Sequence, residues 1–354
     1  MYRYKKQFQK ALVEWFHREK RDLPWRHTTD PYKIWVSEVM LQQTRVDTVI
    51  PYYENFLEKF PTAEALANAD EAFLLKQWEG LGYYSRARNL QAGVREVVEN
   101  YGGIVPNTRE EILTLKGVGP YTAGAILSIA YGVPEHAVDG NVMRVLSRVL
   151  MIDEDIAIPK TKKTFERAVM ELIDHDDPSG FNQGLMELGA TVCTPTSPSC
   201  LLCPVRDYCT AFHEGDPEKL PIKTKKAKAK KVPYDVFIVE DMEGRILMEQ
   251  RPEKGLLANM WQFPMVEVQK GVITESEVAK TYQFELAGKE HLMPLKHVFT
   301  HLVWQMDGYV LRAGQLGTLP ERAKWFTLEE VETLALPVSM QKFLAQYRIE
   351  RQKL

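Results

Sequence analysis

Cys193, Cys200, Cys203 and Cys209 are the only cysteines in the 354-residue chain, and they share one short window with the spacing C-x6-C-x2-C-x5-C. Four thiols so close together can converge on a single inorganic centre, whereas the disulfides of an exported protein are spread along the chain to close loops. Structural zinc prefers two C-x2-4-C knuckles set apart by a longer stretch, and only Cys200 and Cys203 form one. A cubane iron–sulfur cluster held by four thiolates therefore fits better than zinc. Pro195, Pro198 and Pro204 stiffen the loop that would wrap around it.

Two carboxylates stand where their proton affinities should be driven apart. Glu38 has Ile34, Trp35 and Leu41 three or four positions away on a helical pattern, and desolvation beside that apolar face raises a carboxyl pKa. Asp139 precedes a helical run at its N-terminal end, where free amides and the helix dipole favour the ionised form. One carboxyl kept as an acid and another kept as an anion suit the departure of a leaving group from a sugar.

The elements that must position these groups read as helical up to about residue 215. Asp30 and Pro31 suit the N-cap and first position of the helix that carries Glu38. From Leu113 to Ile126, Gly117 and Gly119 separate an incoming from an outgoing helix, with Pro120 opening the second; this is a helix–hairpin–helix pattern. Free amides at such a turn bind a phosphate oxygen without base preference. Lys116, just before the turn, has the amine of a nucleophile but is better placed to face a phosphate.

The order of hairpin, Asp139 and four-cysteine loop resembles the endonuclease III superfamily of DNA glycosylases over about residues 8–215. The segment Trp35-Val-Ser-Glu38-Val-Met-Leu-Gln-Gln43-Thr44 is similar to the matching motif of the adenine DNA glycosylases, the MutY family, as are Trp25-Arg26, Leu81-Gly-Tyr83-Tyr-Ser-Arg86 and Phe181-Asn-Gln183-Gly-Leu-Met-Glu187. Superfamily members that also cut the backbone carry a lysine two residues after the second hairpin glycine. Here that residue is Tyr121, and a phenol cannot form an imine, so a monofunctional enzyme is expected.

The resemblance implies hydrolysis of the glycosidic bond of adenine, swung out of double-stranded DNA, where it is mispaired with 8-oxoguanine or guanine. Glu38 would protonate adenine N7, and Asp139 would stabilise the oxocarbenium-like sugar covalently or electrostatically, with Tyr121 and Asn141 supporting it. Trp25, Arg26, Leu41, Gln183 and Glu187 would form the adenine pocket, and Gln43 and Tyr83 would fill the gap left in the stack. Lys116, Gly117 and Gly119 would hold the DNA backbone. One 4Fe-4S cluster on the four cysteines would staple a DNA-contacting loop that includes Arg206. No nucleotide cofactor and no catalytic metal are expected.

Residues 216–232 read as a Lys-rich linker, with seven lysines between Lys219 and Lys231; it is a solvated hinge that could also track a phosphate backbone. Beyond it, Tyr234–Val239, Arg245–Gln250, Trp261–Val268 and His297–Val310 read as strands, with helices near Glu275–Tyr282 and Ser339–Ile349. The family's second domain is Nudix-like, and Gly255-Leu-Leu-Ala-Asn-Met-Trp261-Gln-Phe-Pro264 resembles the start of such a region. The carboxylate-rich magnesium box is missing, so 233–354 is expected to recognise 8-oxoguanine, with Phe299, Thr300 and His301 matching the family's F-S/T-H loop. The expected fold is multidomain: an all-α helix–hairpin–helix glycosylase region with its iron–sulfur loop (1–215), the linker, and a C-terminal α+β Nudix-like domain.

Bulk composition agrees with two folded domains. The chain is 45% apolar and 26% charged, with a formal net charge of -3, so any DNA-binding charge must be gathered on one face. It shows no membrane-length apolar run and no secretory h-region, and its thiols are unpaired, which together point to the cytoplasm; a monomer is expected. The rivals are a bifunctional endonuclease III-like lyase, opposed by Tyr121, and a non-catalytic iron–sulfur DNA-binding regulator, opposed by the pairing of Glu38 with Asp139.

Overall fold

The computed structural model describes residues 2–224 and 228–352. The chain divides into two compact units, Met1–Asn68 with Asn89–Lys226, and Ala69–Arg88 with Ala227–Leu354.

Among its described residues the first unit is helical. Asp30 caps the Pro31–Leu41 helix by accepting from the Tyr32 amide at 2.9 Å, with Pro31 in the first position. This helix is buried on nearly every side, through Tyr32, Ile34, Trp35, Val36, Val39 and Met40, and Glu38 is carried inside with them. Gly117 turns the hairpin at φ +78°, a left-handed conformation that side chains disfavour, and Gly119 caps the Pro120–Tyr131 helix.

The next step depends on the small residue Gly124 inside that helix. A Cβ there would lie 1.7 Å from the His136 carbonyl oxygen, so the backbone at 136–138 lies directly against the helix. That approach delivers Asp139 to the N-terminus of the Gly140–Leu150 helix, where its carboxylate accepts from the Val142 amide at 2.7 Å. Val142, Val145, Leu146 and Val149 then bury one face of this helix against Leu185 and Leu188 of the Pro178–Thr191 helix and against Val205 and Ala211 of the cysteine loop.

The second unit is a mixed sheet with helical packing on both faces. Its strands are β1 (Lys230–Glu240), β2 (Ile246–Gln250), β3 (Trp261–Gln262), β4 (Met265–Glu267), β5 (Phe284–Val298), β6 (Leu302–Leu316) and β7 (Ala323–Phe326). They run in the order β3-β2-β1-β6-β5, with β4 on β1 and β7 on β2. β1 and β6 are parallel and the other pairs antiparallel. Alternation along the strands builds two cores. Val236, Ile238, Trp304, Met306 and Val310 meet Met340, Phe343 and Leu344 of the C-terminal helix Val338–Arg351. Phe237, Val239, Leu311 and Ala313 meet Val278 of the Thr274–Thr281 helix.

Several sequence expectations change. The contiguous region 1–215 is interrupted, because 69–88 belongs to the second unit: Asn259 donates to Glu71 at 2.7 Å, Lys76 to the Leu334 carbonyl at 3.1 Å, and the Leu336 amide to Glu79 at 2.8 Å. The linker is shorter than 216–232, since Leu220 is buried and Lys230 already lies in β1; residues 225–227 fall outside the described residues. His297–Val310 is not one strand but the two arms of the β5–β6 hairpin, with Phe299, Thr300 and His301 at its turn. Trp261–Val268 splits at Phe263-Pro264, where proline has no amide for the ladder.

Gly124→Ala should destabilise the first unit by roughly 1–3 kcal/mol, because the carbonyl it meets belongs to backbone and cannot rotate away. Chemical denaturation with a helical signal checks this, and a variant as stable as the parent would mean that the 136–138 segment is not packed as described.

Candidate active site

One cavity of about 680 Å³ in the first unit collects most of the chemistry-bearing residues singled out in the sequence. It is lined by Glu38, Tyr121, Asp139 and Asn141, by Trp25, Arg26, Leu41, Gln43, Gln183 and Glu187, and by Gly117 and Gly119 of the hairpin. Lys116 is exposed and outside this lining; its amide donates to Glu96 at 2.8 Å. Gln43 holds φ +58°, a left-handed backbone costing roughly 1–2 kcal/mol for a residue with a side chain, so its placement is imposed by its surroundings.

Three carboxylates face this cavity under three different regimes. Glu38 is buried, and desolvation pushes its carboxyl up to about 7 against the opposing hydrogen bond from the Tyr121 hydroxyl, which donates to Oε2 at 2.5 Å. Burial, then the neighbouring Glu38 charge, in turn holds the Tyr121 phenol well above its ordinary value, so it stays a donor. Tyr121 was expected to support Asp139; its hydroxyl instead serves Glu38.

Asp139 departs from expectation in a second way. Burial raises its pKa as well, and the Val142 amide at 2.7 Å and the Asn141 side-chain amide at 3.0 Å work against that rise. Its helix-end position therefore moderates desolvation without overcoming it. For Glu187 the balance reverses. Burial raises it, but Arg21 grips both of its oxygens at 2.9 Å and Arg26 donates at 2.8 Å, bringing it down to about 2. Glu187 lines the cavity mainly as the anchor that holds Arg26 over the Phe16 ring, 5.2 Å from its centroid.

A second cavity, of about 470 Å³, lies wholly within the second unit. Tyr83, Phe299, Thr300 and His301 line it together with His297 and Arg88. The Tyr83 and Thr300 hydroxyls are 3.0 Å apart, and Tyr83, like Gln43, is a non-glycine candidate with a left-handed backbone, at φ +47°. Tyr83, expected with Gln43 to fill the gap in the stack, belongs to the second unit and lines this cavity with the Phe299–His301 turn.

Residues 36–175 match the model of the HhH-GPD superfamily of base excision DNA repair proteins, and residues 235–346 match the NUDIX domain. The adenine DNA glycosylase of Homo sapiens is 36% identical, over 96% of this chain and 74% of the relative. The chain belongs to the adenine DNA glycosylase family. Among solved structures, a thermostable thymine-DNA glycosylase superposes with a TM-score of 0.54 at 30% identity, covering 59% of this chain and 97% of its own. A trapped endonuclease III–DNA covalent intermediate does so with 0.50 at 26% identity, covering 59% and 97%.

Like endonuclease III, this adenine DNA glycosylase family member carries an iron–sulfur binding domain, matched at residues 193–209, and its cofactor is one 4Fe-4S cluster. The residues fit the group. All four cysteines line one small cavity with Arg148 and Val205. Burial pushes the Cys203 thiol up to about 12, so that sulfur favours the thiolate only when a cation holds it. Cys193, Cys200, Cys203 and Cys209 would be the ligands, and the cluster would supply a covalent staple across the loop.

Sequence reading missed how that loop is tied to the Asp139 helix. Arg144 donates to the Cys193 carbonyl at 2.8 Å, to Gly189 O at 2.7 Å and to Asn141 Oδ1 at 2.7 Å. One turn on, the buried Arg148 donates to the carbonyls of Thr194, Pro195 and Leu220 and to Cys193 Sγ at 3.2 Å. Two arginines at i and i+4 on an otherwise apolar helix were the available signal. Arg21 and Met186, both lining the catalytic cavity, were also missed.

The raised Glu38 pKa makes a signed prediction. The folded state binds this proton more tightly than the unfolded chain, so no penalty exists below about 4.5, and stability is lost as pH rises from there through about 7. Glu38→Gln cannot titrate, and should gain on the order of 3 kcal/mol relative to the parent between pH 4.5 and 7.5. Denaturation curves of both proteins across that range check it; a pH-independent difference would mean that Glu38 is not strained by burial.

Proposed function

We propose that this family member is a monofunctional glycosylase that removes adenine opposite 8-oxoguanine or guanine in double-stranded DNA. The observation that carries the reading is the 2.5 Å hydrogen bond from Tyr121 to the desolvated Glu38 carboxyl, in a cavity that Asp139 also lines. Glu38 is the general acid, delivering its proton to N7 of an extrahelical adenine so that the base departs neutral. Asp139, held by Val142 and Asn141, faces the cation that develops on the sugar. Water then completes hydrolysis and leaves an abasic site. Tyr121 stands where a lyase needs an amine, and its high pKa keeps it a hydrogen-bond donor to Glu38.

Trp25, Arg26, Leu41 and Gln183 surround the base, with Arg26 fixed by Glu187. Gly117 and Gly119 offer hairpin amides to the DNA backbone, joined by Lys116 at the surface and Arg206 on the cluster loop. In the second unit, Phe299, Thr300 and His301 read 8-oxoguanine with Tyr83. The protein acts as a monomer in the cytoplasm.

An end-labelled duplex with adenine opposite 8-oxoguanine tests this. Strand cleavage should appear only after hot alkali; an intact strand with and without alkali would sink the reading, and cutting without alkali would favour a lyase. Glu38→Gln should lose turnover by roughly 10²–10⁴-fold while still binding the mispair, and Asp139→Asn should be similarly impaired. Phe299→Ala and His301→Ala should lower the ratio of rates on 8-oxoguanine and guanine mispairs; an unchanged ratio in both would remove that turn from recognition.

A further inference from the structure

Tyr121 has one hydroxyl proton and two acceptors within reach, Glu38 Oε2 at 2.5 Å and Met186 Sδ at 3.8 Å. A thioether is the weaker acceptor, so the carboxyl takes the proton. Met186 is half-buried and lines the catalytic cavity, within reach of small solutes that enter it. Met40, Met248, Met260 and Met340, by contrast, are sealed in the cores.

We propose that Met186 is an oxidation site that switches the glycosylase off: a hydroperoxide converts its thioether to the sulfoxide, and the new oxygen captures the Tyr121 hydroxyl from Glu38. In the step, a sulfur lone pair attacks the terminal oxygen of hydrogen peroxide. The O–O bond breaks, a sulfur–oxygen bond forms and water leaves; sulfur is oxidised by two electrons and the peroxide is reduced. The sulfoxide oxygen is a strong acceptor and extends from the sulfur toward a hydroxyl already in its neighbourhood. It also adds a polar group to the wall that must admit the base. Tyr121 is the donor that partly offsets the burial of Glu38, so its diversion makes Glu38 a weaker acid as well as a displaced one. The inference rests on Glu38 being the proton donor.

The test uses the full-length protein with its cluster. Wild type and Met186→Leu are treated with hydrogen peroxide, quenched, and assayed for single-turnover adenine excision, each against its own untreated sample. Peptide mass spectrometry follows Met186, and visible absorbance follows the cluster. Wild type should lose about tenfold or more in step with Met186 sulfoxide and recover with methionine sulfoxide reductase, whereas Met186→Leu should keep most of its rate after the same peroxide treatment. Equal loss in both proteins, an unchanged rate at full Met186 oxidation, or a loss that tracks cluster absorbance and resists the reductase would each overturn the proposal. Should Met186→Leu fold poorly, graded oxidation of wild type decides: a rate that follows Met186 sulfoxide through oxidation and repair supports the proposal, and one that follows the sulfoxides of the exposed Met151, Met170 or Met242 instead overturns it. Glu38→Gln separates the two readings: full activity there removes the proton donor itself, whereas an inactive Glu38→Gln beside a peroxide-insensitive wild type removes only the Met186 site.

Discussion

A carboxylic acid stays neutral near neutral pH only where water and cations are kept from it, and the Glu38–Tyr121 hydrogen bond is built under that constraint. The same cavity holds Glu187, equally inaccessible, at the opposite extreme. Glu38 is met by one phenol and rises to about 7; Glu187 is met by two guanidinium groups and falls to about 2. Burial is common to both, so the partners decide. Charge-assisted bonds to Arg21 and Arg26 exceed the desolvation cost of Glu187, while a neutral hydroxyl cannot do so for Glu38.

Keeping such groups within reach of one another falls to backbone packing more than to the side chains themselves. The Asp139 helix is pinned from two directions. On one side, the absence of a side chain at Gly124 admits the His136 carbonyl. On the other, Arg144 and Arg148 tie the helix to carbonyls of the cysteine loop and, through Gly189, of the Pro178–Thr191 helix. The loop thus bears on the site through hydrogen bonds that end at Asn141, itself bound to Asp139. A cluster that staples the loop would stiffen this path without touching a reacting atom.

Much of this was legible because it rests on local rules. Caps at Asp30 and Asp139, the hairpin glycines and the cysteine spacing each declare themselves within a few residues. What escaped was set by distant partners. The preference of Tyr121 for Glu38, 83 positions away, has no local signal. Nor does the rise in Asp139, because burial is a property of the assembled core. The long strand β5 was missed because most of its residues are exposed or half-exposed, leaving little apolar alternation to read. Conversely, His297–Val310 looked continuous because both arms of the hairpin favour extended chain, and only pairing reveals the turn between them.

The assignment of Ala69–Arg88 to the second unit bears on how the chain is made. A ribosome releases this stretch long before Asn259, Leu334 and Leu336, which supply its hydrogen-bond partners. Nascent chains generally complete their N-terminal domain first, but here the flanking helices can consolidate while the intervening segment waits for partners more than 180 residues further on. Residues 227–354 therefore complete a structure begun by residues 69–88, and no single cut between the units yields two self-sufficient pieces.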